Sequence, residues 1–251
     1  MGWIRGFDKI IINYVAIVLM LDTFCSNSKL IKTFTGYPNR VYSIDYYKYD
    51  NSQFLYFGTI DKIVHVWDVE SNTQIKSFNG HSSSIYCVKF SPYHCYNNNL
   101  IRFWDIKDNR QLQNLMDIQK VFLELNFHHL MVNIYISPLQ SNNNNNNIGI
   151  IGSYDEIIQI FNGHTRPVKV VEYSSFITNN NSNVICSGSM DNTIRFWDIR
   201  LNKNELNLIK GFDMENCGIF CLTFFSSEEK NNGCDINLCY CSYGCPIRIW
   251  G

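Results

Sequence analysis

The chain has 251 residues, 45% hydrophobic and 17% charged, with 21 Lys and Arg against 22 Asp and Glu for a net charge of −1. That balance excludes a disordered chain, which would be charge-rich and poor in apolar residues, and it lacks the clustered basic excess of a nucleic-acid footprint. Fifteen Tyr and seventeen Phe favour strands, and the length suits one large all-β unit.

Residues 1–28 form an apolar N-terminal segment whose centre is IIINYVAIVLML at 10–21. A membrane-spanning helix needs about 20 apolar residues, and DTFCSNS, which follows, offers no small-residue cleavage site. The segment reads as a buried strand or a buried helix, with a targeting signal or an anchor as the alternative. Six β-branched residues favour the strand, which would close the fold. Further on, LQNLMDIQKVFLEL at 112–125 places apolar residues at 112, 115, 116, 118, 121, 122 and 125. That spacing is near the helical period and predicts an inserted amphipathic helix, with an eroded outer strand as the alternative. The asparagine run 142–147 reads as loop composition.

Ten cysteines are spread along the chain, several inside apolar runs such as SIYCVKF and NVICSGS, where cysteine acts as a small buried hydrophobe. Cys234, Cys239, Cys241 and Cys245 do not form the paired CxxC knuckles of a structural zinc site. No metal and no cofactor are expected, and reduced thiols point to the cytoplasm, or the nucleus.

Repeats organise the rest. IVHVWDVES (63–71), LIRFWDIKD (100–108), TIRFWDIRL (193–201) and PIRIWG (246–251) end alike. KTFTGYPNRVYSIDY, KSFNGHSSSIYCVKFSP and IFNGHTRPVKVVEY look like their upstream halves, and FGTID, IGSYD and SGSMD lie between. This pattern resembles the WD40 repeat family, whose repeats carry Gly-His, a Ser-containing strand, an Asp turn and a strand ending Trp-Asp. The resemblance covers 29–251 and implies an all-β propeller. About five blades are recognisable, some incomplete, with units near 29–71, 72–108, 109–162, 163–201 and 202–251. Either an irregular ring closed by residues 10–35 or an open arc is expected. If the ring closes, IIINYVAIVLML or KLIKTF adds a strand to the last blade.

His164, Ser187 and Asp191 are the residue types of a serine hydrolase. A triad needs its serine exposed beside an oxyanion hole, whereas Ser187 sits mid-run in NVICSGS, which reads as a buried strand. The resemblance implies instead a buried structural tetrad, His164, Ser187, Asp191 and Trp197, in the fourth unit. The donor and acceptor inventory of those side chains allows one satisfied chain. Other signature positions are Asp61, Trp67 and Asp68; Gly80, His81, Trp104 and Asp105; Asp155; Gly163 and Asp198; and Trp250. The other units are eroded. Tyr37 and Phe57 stand for the histidine and serine of the first, and the second is shortened between His81 and Trp104. Asn126-Phe127 and Phe161 replace Gly-His and Trp in the third, and Tyr240 and Gly244 replace the serine and turn aspartate of the fifth.

The chain contains no P-loop, GxGxxG, HExxH or GxSxG motif. Glu228-Glu229 reads as solvated loop and His128-His129 as structural or exposed. No catalytic site and no small-molecule substrate are expected. The resemblance implies a protein-interaction scaffold whose partners, other proteins, seat at the channel mouth. By position the contacts are Arg40, Tyr42 and Ile60; Ser84 and Tyr86; Tyr154; Pro167, Lys169 and Met190; and Gly218 and Phe220. No nucleic-acid or membrane partner is expected. Two alternatives remain: a substrate receptor of a cullin-based ubiquitin ligase, because FWDIR resembles a WDxR docking motif through Asp198 and Arg200, and an eroded repeat remnant without a specific partner.

Overall fold

The structure, a computed structural model, describes residues 2–35, 40–49, 52–89, 99–105, 110–116, 133–135, 148–151, 157–175, 184–200, 205–211, 217–226, 236–244 and 246–251. Three four-stranded antiparallel sheets dominate. The first contains β2 (Val41–Tyr49), β3 (Ser52–Thr59), β4 (Ile63–Asp68) and β5 (Thr73–Asn79) in that order. The second contains β11 (Val168–Tyr173), β12 (Val184–Ser189), β13 (Thr193–Asp198) and β14 (Glu205–Lys210). The third is made from both ends of the described chain. β15 (Ile219–Ser226), β16 (Ile236–Ser242) and β17 (Ile247–Trp250) meander outward, and β1 (Leu30–Phe34) adds antiparallel to β17. Two smaller sheets complete the set: the hairpin β6 (Asn99–Asp105) and β7 (Arg110–Met116), and the triplet β8 (Asn133–Tyr135), β9 (Ile148–Ile151) and β10 (Ile157–Phe161). Among the described residues the fold is all-β with one helix and consists of partly incomplete blades.

Of the two candidate strands for the last blade, KLIKTF is the one that adds to it. Backbone bonds between Lys29 and Gly251 (3.1 and 3.2 Å) extend the pairing of β1 with β17. The apolar segment before it forms helix α1 (Gly2–Asn27) instead of a strand. Ile17, Leu21 and Phe24, one helical stripe, are buried against the second and third sheets, among Val184, Phe196, Ile209 and Leu238. Strand propensity reports fit to a pleated surface. Here the surface on offer lies across sheet faces, where a period of 3.6 buries more than a period of 2. The Asp22 carboxylate accepts from Asn207 Nδ2 at 2.9 Å, tying the helix to β14.

The helix expected over 112–125 is also corrected, for the part described. Leu112–Met116 lies in β7, paired with β6 in the register of the other outer hairpins. A β-bulge between Phe103 and Trp104 leaves Leu112 unpaired, as bulges at Val66/Trp67 and Phe196/Trp197 leave Ile75 and Leu206. One extra residue shifts the alternation and makes the apolar spacing look helical.

The repeat units and the sheets are out of phase by one strand. After each Trp-Asp strand the chain turns back to the sheet it has just left, so β5 joins the first sheet and β14 the second. Asp68 shapes the first such turn by accepting from the Ser71 N–H (2.7 Å) and hydroxyl (2.8 Å). The third sheet packs on both others. Phe225, Cys239 and Ile249 share a cluster with Ile44, Phe57 and Trp67, and Ile219, Leu222 and Leu238 share one with Val184, Ile194 and Phe196.

Candidate functional site: the tetrad and the mouth it supports

The second sheet brings all four tetrad residues together. The Trp197 indole donates to Ser187 Oγ at 2.9 Å. Ser187 in turn donates to His164 Nε2 at 2.7 Å, and His164 Nδ1 donates to Asp191 Oδ2 at 2.9 Å. Asp191 also accepts from the Thr165 N–H (2.9 Å), the Thr193 N–H (3.0 Å) and the Thr193 hydroxyl (2.6 Å). Burial alone would raise its pKa. The hydrogen bonds from His164, Thr193 and Thr165 outweigh burial and hold the carboxyl well below the usual carboxylate range. Ser187 is completely buried, so no substrate carbonyl can reach its oxygen, and the fully paired chain serves rigidity. Gly163 is required next to the histidine, because a Cβ there would lie 2.8 Å from Trp197 and 2.9 Å from Arg195.

The other signature positions diverge. In the first sheet Phe57 occupies the serine place, and His65, from β4, reaches Asp61 (3.4 Å) and Gln74 (2.8 Å). His65 stacks on Phe57 with centroids 5.2 Å apart, and Trp67 packs edge-on against Phe34 at 5.9 Å. Phe57 in the serine place was expected, but the part played by His65 was not; its sequence mark is a histidine at the place of Arg195. In the third sheet Tyr240 holds the serine register, and the buried Trp250 indole N–H has no hydrogen-bond partner among the described residues. Gly80 and His81 follow β5, and Trp104 and Asp105 end β6. Asp198 is buried and takes two bonds from the Arg200 guanidinium, at 3.0 and 2.7 Å. Tyr37, Asn126, Phe127, His128, His129, the run 142–147, Tyr154, Asp155, Glu228, Glu229, Cys234 and Cys245 lie outside the described residues. Cys239 and Cys241 are buried on β16 and are not joined in a disulfide.

The mouth residues converge. Each inner strand carries a β-bulge at the same place, between Val41 and Ser43, Val168 and Val170, and Ile219 and Cys221. The residues left over are Tyr42, Lys169 and Phe220, three of the positions singled out by the resemblance. A bulge re-aims its side chain, and these three meet at one surface. The Tyr42 ring lies 4.9 Å from Tyr86 and 6.3 Å from Phe220, and Lys169 Nζ stands 5.7 Å over Phe220. Arg40 stands 4.0 Å over Tyr243, which is 5.1 Å from Phe220. The Ile60 N–H donates to the Arg40 carbonyl (3.1 Å), and Ser84 Oγ donates to the Ile60 carbonyl (3.4 Å). The Met190 N–H donates to the Pro167 carbonyl (2.9 Å), and a Cβ on Gly218 would lie 2.4 Å from the Met190 Cα. Tyr243 was missed, although the rule that selected Ile60 and Met190, the residue before the turn position, also selects Tyr243 ahead of Gly244.

Three residues beyond Tyr42, Tyr86 and Lys169 lie Asp45, Lys89 and Glu172. Lys89 Nζ is 3.0 Å from Glu172 and 3.8 Å from Asp45. Burial alone would lower the Lys89 pKa, but the two carboxylates outweigh it and raise the value. Segment 84–89 is held on the first sheet by the Ile85 N–H to the Thr59 carbonyl (3.1 Å) and the Val88 N–H to Ser43 Oγ (2.9 Å).

Among the described residues no helix is long and apolar enough to cross a membrane. Comparison with known proteins finds the family described as "WD40: WD domain, G-beta repeat" at residues 28–68, 72–105 and 144–198, more than half the chain. Relatives include WD repeat-containing protein 82 of Drosophila melanogaster, 32% identical over 31% of this chain and 24% of the relative. WD repeat-containing protein 91 homolog of Dictyostelium discoideum is 25% identical over 59% of this chain and 20% of the relative. Protein tipD of Dictyostelium discoideum is 29% identical over 73% and 30%. The matched part of the chain thus spans between 20% and 30% of the length of these relatives. The family match, the repeated Trp-Asp strands and the sheets they build agree, and the chain belongs to the WD40 repeat family.

Proposed function

We propose that the chain is a non-catalytic protein-interaction scaffold, with residues 29–251 as the scaffold and the surface around Tyr42, Tyr86, Lys169 and Phe220 as its docking site. One observation carries this reading: side chains from four separate stretches of sequence, three of them on β-bulges, meet at a single surface. Aromatic and Arg side chains are the types that dominate interface energetics. WD40 proteins are generally scaffolds and not enzymes, and the tetrad fits that role by fixing the turns behind the mouth. Four of the seven described cysteines lie on strands and none of the seven is in a disulfide, which suits the cytoplasm or nucleus.

The ubiquitin-ligase reading is weaker, because Arg200 is bonded to Asp198 of its own turn. A remnant without a partner would have no reason to keep the mouth residues assembled. The test is retention of cellular proteins on immobilised wild type, on Arg40→Ala/Tyr86→Ala/Phe220→Ala, and on Ile75→Ala of the outer strand β5 as a control. Circular dichroism would verify that each is folded. Proteins held by wild type and control but lost from the triple variant are expected. An identical set on all three would overturn the assignment of the site.

A further inference from the structure

The aromatic floor of the mouth carries two cations that no carboxylate pairs among the described residues. Arg40 and Lys169 stand over the faces of Tyr243 and Phe220, and neither has a carboxylate partner among the described residues. A cation held over a ring face keeps its N–H donors available, since the ring accepts none of them along the guanidinium edge. Between and beside these cations the rings of Phe220, Tyr42 and Tyr86 form an apolar step, with Tyr86 68% exposed. The site therefore offers positive charge at its margins and apolar surface at its centre.

The layer beneath has the opposite sign. Asp45 and Glu172 lie three residues further along β2 and β11, about 10 Å away at strand rise, and both carboxylates face the Lys89 ammonium. An anionic ligand gains at the rim and is repelled from below.

Resting on the interaction reading above, we infer that the mouth takes an extended acidic segment of a partner protein, with carboxylates on Arg40 and Lys169 and an apolar side chain on Tyr42 and Tyr86. A nucleic acid is the poorer occupant. It would bring a phosphate with every nucleotide to a site with two unpaired cations and an acidic layer beneath, on a chain whose net charge is −1.

The test uses fluorescence anisotropy of the full chain with four probes: a short synthetic peptide alternating Glu with Leu, its Gln/Leu and Lys/Leu counterparts, and a single-stranded oligouridylate. The inference expects the Glu peptide to bind about tenfold more tightly than the Gln peptide at low salt. Each of Arg40→Gln and Lys169→Gln should remove about threefold to fivefold of that preference. Tyr86→Ser should weaken the Glu and Gln peptides alike, and circular dichroism confirms that each variant is folded. Equal binding of the Glu and Gln peptides, lost on Tyr86→Ser, would overturn the charge assignment while leaving the docking site in place. Tighter binding of the oligouridylate than of the Glu peptide would overturn it in favour of a nucleic acid. No binding of any peptide would also overturn it, and the retention experiment would then decide separately whether the mouth binds folded partners.

Discussion

Replacing Ser187 by Ala separates a structural tetrad from a decorative one. The substitution removes a hydroxyl that accepts from Trp197 Nε1 at 2.9 Å and donates to His164 Nε2 at 2.7 Å, at a position with no solvent exposure. Both partners stay buried, and each unsatisfied group costs about 1–3 kcal/mol. The expected loss is about 2–5 kcal/mol, since alanine fills nearly the same space. Trp250 supplies the contrast. Its buried indole N–H has no partner among the described residues, so Trp250→Phe removes an uncompensated donor along with part of a ring. That exchange should change stability by less than about 1 kcal/mol in either direction. Urea unfolding followed by far-ultraviolet circular dichroism compares the two without depending on tryptophan emission. A loss below about 0.5 kcal/mol for Ser187→Ala, or equal losses for both variants, would refute the reasoning.

Three further outcomes follow from the same contacts. Asp191 titrates below its unfolded value of about 3.9, so the unfolded chain binds the extra proton first on acidification. Its contribution to stability is therefore complete above about pH 5 and is lost as pH falls through the lowered folded value. Asp191→Asn should flatten the acid limb of stability against pH, and an unchanged limb would contradict this. Leu21→Ala cuts a side chain that is 1% exposed between α1 and the sheets and should cost about 2–4 kcal/mol in urea unfolding. A loss under about 1 kcal/mol would mean that the helix is not docked as described. Gly58→Val would set a Cβ 2.5 Å from the Ile85 side chain and 2.9 Å from Val88. The Ile85 amide, bonded to the Thr59 carbonyl, should then exchange with deuterium faster, whereas unchanged exchange would contradict the packing of segment 84–89 on β3.

What was legible in the sequence was whatever recurs. Trp-Asp endings and Gly-His starts fixed the strand order and the members of the tetrad, because a buried polar chain restricts residue type at four places together. Counting from the same histidine picked out Tyr42, Lys169 and Phe220, which the structure brings together because a bulge recurs at one place in β2, β11 and β15. For α1 the sequence allowed a buried strand or a buried helix, and the strand was favoured because composition was weighed above period, although Ile17, Leu21 and Phe24 are spaced for one helical face. The 112–116 stretch misled because a bulge at Leu112 imitates helical spacing. The contact of Lys89 with Glu172 joins residues 83 apart and leaves no local pattern to read. His65 took over the bond to Asp61 from a neighbouring strand, a compensation that only the folded register reveals.

The most direct test of the account is hydrogen–deuterium exchange of the folded chain with and without a partner recovered by wild type and lost by the triple mouth variant. The account predicts protection gathered on 40–49, 84–89, 167–173 and 217–226, the four stretches that build the mouth. Protection confined to the outer strands β5 and β14, or to α1, would contradict it and place recognition on the rim of the blades.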